Sequence, residues 1–151
     1  MSKLKSYKTT AVHWGKSQAS ICKLLSLFSV QDVRFTMLES RSEVICEFQF
    51  PTILDEKSVL LGVRLVVPIP KAKDVEQAKN QVHRALFYYL KTKFEALQFG
   101  LVEFVQEFLP HLVMFDKNGK TGTVYQMIGE KVTQGYVTGK QGGNMLLEDM
   151  R

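Results

Sequence analysis

Arg84, Phe87 and Lys91 recur on one side of a helical pattern, the two cations two turns apart with the ring between them. That arrangement suits a single nucleic-acid strand, with phosphates held by the charges and a base stacked on the ring. The competing reading is internal packing, in which Phe87 and Tyr88 meet Phe104 and Phe108. A second group lies at the front of the chain. Lys3, Lys5, Lys8, Lys16 and Lys23 precede the first carboxylate, Asp32. From Asp32 onward 15 basic and 15 acidic residues cancel, so the formal charge of +5 belongs to the N-terminal fifth. A lysine-rich arm on a neutral body is a footprint for a polyanion, because each neutralised phosphate releases a counterion; it is equally a solvated, solubilising tail. Trp14, the single tryptophan, stands beside His13 and Lys16 in this segment. Stacking on a base and anchoring the arm to the body are both open to it.

Other residue types offer less. His13, His83 and His111 are widely separated and show no metal-ligand spacing. His83 reads as lying on the polar side of its helix, and His111 follows Pro110 as a surface or helix-end group. Cys22 and Cys46 have no neighbouring base and read as small packing residues, too few for a disulfide scaffold. No serine-hydrolase, Walker or Rossmann pattern is present, and no carboxylate cluster suggests a metal, so the reading is of a non-enzyme without a cofactor. On the outer face of the expected sheet, Arg34, Thr36, Glu47, Gln49 and Arg64 make either a cross-strand ion-pair ladder or a polar platform.

The elements that must position these groups follow from hydrophobic period. The chain has 151 residues, 45% hydrophobic and 23% charged, enough for one compact domain and against wholesale disorder. It lacks a run of eighteen apolar residues, and its N-terminus lacks the apolar core of a signal peptide, which implies a cytoplasmic protein with no membrane partner. Ile21, Leu24, Leu25 and Phe28 predict a helix over about 16–29, with Ser17 as its cap. Three runs of period two follow: 33–37, 44–50 and 59–67, with a loop at Pro51, Asp55 and Glu56 and a stop at Pro68-Ile69-Pro70. Asp74 then starts a long helix over 74–99, ended or bent by Gly100. Residues 101–109 predict a further helix, Asn118-Gly119 a tight turn, and residues 123–128 a short return segment. The fold class is α+β in two layers: helix, three-stranded antiparallel meander, long helix, and a further C-terminal helix. The organisation is a basic arm over 1–15, one domain over 16–128, and a glycine-rich flexible tail over 129–151. The order resembles that of the double-stranded-RNA-binding domain, but its glycine-lysine-lysine signature is missing.

Gln77-Ala78, Arg84, Ala96-Leu97, Gly100 and Phe108-Leu109-Pro110 resemble a family of small, largely uncharacterised proteins encoded by phages and prophages. The resemblance covers about residues 16–128; His83 stands where the family has tryptophan, and Asn118-Gly119 where it has an acidic turn. It implies a mobile-element origin and a host-cytoplasm setting, and supplies no catalytic residues. Two functions are expected on these grounds. The first is a non-catalytic nucleic-acid-binding accessory protein that contacts its ligand through Lys3, Lys5, Lys8, Trp14, Lys16, Arg84, Phe87 and Lys91. The alternative is a protein-binding module, a dimeric adaptor or an inhibitor of a host protein, whose exposed stripe of Leu101, Phe104, Val105 and Phe108 on the 101–115 helix meets a host protein or a second copy.

Overall fold

The structure is a computed structural model and describes residues 6–137. Its elements are α1 (Trp14–Ser26), β1 (Val33–Leu38), β2 (Glu43–Leu54), β3 (Lys57–Pro68), α2 (Val75–Gln98), α3 (Phe104–Phe108), β4 (Val113–Phe115), β5 (Thr121–Thr123) and α4 (Val124–Val137). The meander is antiparallel in the order β1-β2-β3, with Val33 opposite Phe48 and Cys46 opposite Leu65. The α+β class and the element order match the sequence reading.

Period two sends Cys46, Phe48, Val63 and Leu65 to one sheet face, where Ile21 and Leu25 of α1 and Leu86, Leu90 and Phe94 of α2 cover them. Phe94 is the centre of an aromatic cluster. Its ring centroid lies 4.6 Å from Phe28, 5.3 Å from Phe108 and 6.1 Å from Phe50. Phe104 closes the cluster, stacked 3.8 Å over Phe50. The stripe that the sequence pattern leaves free for a partner is therefore spent inside the chain: Phe104 and Phe108 are buried, and of its four residues only Leu101 is exposed.

Helix ends follow capping chemistry. Asp74 accepts from the Gln77 N–H at 3.0 Å and starts α2. At its other end Gly100, at φ +71°, lets Leu101 N–H reach Ala96 O and Gly100 N–H reach Leu97 O. Gly119, at φ +77°, closes the β4–β5 turn, with Asp116 Oδ1 accepting from the Asn118 and Lys120 N–H groups.

Several boundaries differ from expectation. Ser17 is not the cap of α1; it is buried inside the helix, because His13 Nδ1 accepts from Gly15 N–H and starts the helix earlier. Pro51 is not in a loop. It continues β2 opposite Leu60, beyond the last residue that β1 reaches, where its missing N–H leaves no ladder bond unmade on that side. The turn is Asp55-Glu56 alone, both at positive φ, as a two-residue hairpin requires. The helix expected from Leu101 is shortened to α3, followed by a 3-10 turn over Leu109–His111 that carries Pro110. The segment from Thr123 ends a strand and opens α4, which runs on through residue 129 to Val137 in place of the expected tail; residues 138–151 lie outside the described part.

Phe94→Ala is expected to lower the free energy of urea-induced unfolding by about 3–5 kcal/mol, while Phe99→Ala, at an exposed ring just outside the cluster, changes it by less than about 0.5 kcal/mol.

Candidate nucleic-acid interface

α1 and α2 lie side by side and parallel. Trp14 N–H donates to Asn80 Oδ1 at 2.8 Å, and one turn further along both helices Gln18 Nε2 meets His83 Nε2 at 3.0 Å. Their N-terminal ends, each carrying partial positive charge, therefore sit at the same end of the molecule. The segment before α1 returns along α2. Gln77 Nε2 donates to Lys8 O at 2.9 Å and to Thr10 O at 3.0 Å, and Gln81 Nε2 donates to Ser6 O at 3.0 Å. Tyr7 stacks on Tyr88, with centroids 5.3 Å apart and planes within 7°.

This seating decides the fate of the residues singled out from sequence. Lys3 and Lys5 lie outside the described residues. Lys8 and Lys16 are exposed, and neither belongs to an ion pair among the described residues. Arg84 is engaged within the chain: its Nη2 donates to the Tyr88 hydroxyl at 3.0 Å, and its guanidinium carbon lies 5.0 Å from the Phe87 ring and 4.8 Å from Tyr88. Phe87 is half-buried against the core, and Lys91 pairs with Glu95 at 3.2 Å. The cation–ring–cation stripe thus closes on its own neighbours. Trp14 is an anchor: its Nε1 donates to Glu76 Oε2 at 3.2 Å, and its ring lies 5.8 Å from that of His83. The bonds from Trp14 and Lys79 hold the Glu76 carboxyl below the usual carboxylate range.

Two further features depart from the sequence pattern. His83 is not on a polar side but fully buried, its Nδ1 2.8 Å from Lys79 O. Burial disfavours its charged form and lowers its pKa below the ordinary 6.5. Lys79 is nearly buried and reaches Glu39 at 3.2 Å and Glu76 at 3.3 Å. The seat of the arm is not foreseen by charge or hydrophobic period. Its signal is Gln77, Gln81, Arg84 and Tyr88, hydrogen-bonding side chains spaced by four, three and four along one side of α2.

The outer sheet face behaves as the ladder reading requires. Arg34 and Arg64 flank Glu47, with nitrogens 2.6 and 2.8 Å from its oxygens. Burial works against the Glu47 charge, but the two guanidinium groups hold its carboxyl below the usual range. Burial pushes the Cys46 thiol up to about 12, leaving no thiolate at neutral pH. Among the described residues no group of three or more histidine, cysteine, aspartate or glutamate side chains is placed to hold a metal ion.

His83 gives a pH dependence with a definite sign. His111, 3.0 Å from the Tyr89 hydroxyl, is also held below 6.5, by burial and by Lys93. The unfolded chain takes up protons at these groups first, so unfolding free energy falls as pH drops below about 6.5. His83→Gln is expected to be less stable at pH 8 and to show a flatter slope in urea unfolding between about pH 7 and 5. An unchanged slope would assign the effect to other groups. No family model matches this chain, and no curated protein or solved structure matches it either.

Proposed function

We propose that the chain is a non-catalytic nucleic-acid-binding accessory protein of a phage or prophage, and that its contact surface is the arm and the adjoining helix ends. The observation that carries this reading is the way the arm is seated. Its main chain is held on Gln77 and Gln81, while Lys8 is exposed and unpaired among the described residues. Lys16 stands in the first turn of α1, and Lys71 and Lys73 lead into α2, all exposed. Cations on an ordered segment beside two helix N-termini meet phosphates at a smaller entropy cost than cations on a free tail. Arg84, through Tyr88, and Trp14 act instead as supports of the arm and of the helix pair, while Phe87 packs against the core and Lys91 pairs with Glu95 within α2.

A second reading, a protein-binding module, draws on Met114, Phe115, Tyr125 and Ile128, exposed on β4 and α4. It predicts a salt-insensitive assembly, which light scattering before and after nuclease treatment separates from bound nucleic acid.

For the first reading, affinity for a single-stranded or duplex oligonucleotide falls steeply with salt. Joint replacement Lys3→Gln, Lys5→Gln and Lys8→Gln reduces the slope of log affinity against log salt by about 2–2.7, since each phosphate left without its lysine lowers it by about 0.7–0.9. Lys91→Gln leaves it unchanged. Fluorescence anisotropy across a salt series measures both, and a slope indifferent to the triple replacement overturns the arm as the binding element.

A further inference from the structure

β3 forms one border of the meander, and on its outer side the single bridge among the described residues joins Val63 to Leu112. Beyond that bridge, over residues 65–68, no described strand lies beside β3. A cavity of about 450 Å³ opens there, within the size range of small-molecule sites. Its walls are Val66 and Val67 on the strand, Val82 and Ala85 on α2, and His111 at the end of the 3-10 turn. The inner side is Leu65 and Leu86, buried in the same cluster as Phe94, so the core fixes the distance between strand and helix. Ala85 is small and exposed, which keeps the mouth open where a longer side chain would cover it.

Tyr89 and His111 supply the hydrogen-bonding side chains of this otherwise apolar lining, the Tyr89 oxygen 3.0 Å from His111 Nε2. Burial and Lys93 hold His111 below 6.5, so its ring is neutral at pH 7. Lys93 itself, 4.7 Å from the Tyr89 ring centre, is taken up by Glu107, with Nζ 2.8 Å from the carboxylate and 3.2 Å from the carbonyl oxygen. Among the described residues the lining therefore offers no unpaired charge, and an ionic group entering it would give up water without gaining a counterion. What it offers is a hydrogen bond of either sense. With the Tyr89 hydroxyl donating to Nε2, the phenol oxygen still accepts; with Nε2–H donating to that oxygen, the hydroxyl still donates. A ligand hydroxyl, donor and acceptor at once, satisfies both arrangements.

We infer that this cavity binds a small neutral molecule with an apolar body and a hydroxyl group, the body lying between β3 and α2 and the hydroxyl on the Tyr89–His111 pair. Such a ligand owes nothing to the basic arm, so the site stands or falls apart from nucleic-acid binding. The test titrates the full chain at neutral pH with 2-naphthol, naphthalene and 2-naphthoate, followed by NMR signals of the lining residues. 2-Naphthol is expected to shift Val66, Val67 and Ala85 saturably, binding about fivefold more tightly than naphthalene and at least about tenfold more tightly than 2-naphthoate. Ala85→Trp, at an exposed position, fills the mouth and abolishes saturable binding, with the Leu90 and Phe94 signals unchanged. The double variant Tyr89→Phe with His111→Leu keeps apolar walls and brings 2-naphthol and naphthalene within about twofold of each other. Absence of saturable shifts at the three residues, or binding indifferent to Ala85→Trp, overturns the site. 2-Naphthoate binding as tightly as 2-naphthol overturns its preference for a neutral ligand. A preference for 2-naphthol that survives in the double variant overturns the assignment of the hydroxyl to Tyr89 and His111.

Discussion

The position of Phe94 governs the rest of the molecule. Its ring is fully buried and touches rings from α1's trailing residue Phe28, from β2 through Phe48 and Phe50, and from α3 through Phe108. One side chain thus ties α2 to α1, to the meander and to α3. A ring deep in such a cluster tolerates little rotation or sliding, because interiors are close-packed and even a methylene-sized mismatch is felt. The azimuth of α2 is set by that contact. Whatever lies on its remaining sides is presented at a fixed angle to the sheet and to solvent.

Those sides divide the labour. Leu86, Leu90 and Phe94 face the sheet, while Gln77, Gln81, Arg84 and Tyr88 form the seat of the N-terminal segment. Val82, Ala85 and Tyr89 overhang the open border of β3. Beside them, His83 and Asn80 receive α1 through Gln18 and Trp14. A single helix supports core, arm and groove together, so a change at its buried side is felt at all three.

Much of the fold is legible in the sequence because period and punctuation are local. Alternation over residues 33–67 specifies which side chains enter the core, and with it the register that sets Glu47 between Arg34 and Arg64. Asp74 and Gly100 bound α2 because capping needs only neighbouring backbone. Sequence and structure part where a distant partner intervenes. Ser17 is a fair cap by residue type, yet contact of Trp14 with Asn80 and Glu76 extends the helix past it. His83 is polar by residue type, although it stands three residues before Leu86 and seven before Leu90, on the buried stripe. Arg84, Phe87 and Lys91 are spaced to share a face, but spacing does not reveal that Tyr88 and Glu95 engage the two cations or that the core takes up the ring.

The energetics of the arm are set by few contacts. Three side-chain hydrogen bonds to its carbonyls and one ring stack supply about 2–6 kcal/mol. Ordering the backbone of residues 6–10 costs about 5–10 kcal/mol. The two sides are of the same order, so the seated and released arms differ little in free energy. A ligand that prefers one of them shifts the balance by its differential affinity alone. Arg84 belongs to the same seat. Its guanidinium is tied to Tyr88 and lies over its ring while Tyr7 stacks on the same tyrosine. Displacing Tyr7 uncovers one face of the Tyr88 ring and leaves the Arg84–Tyr88 pair in place, so the seat outlasts the release of the segment it holds.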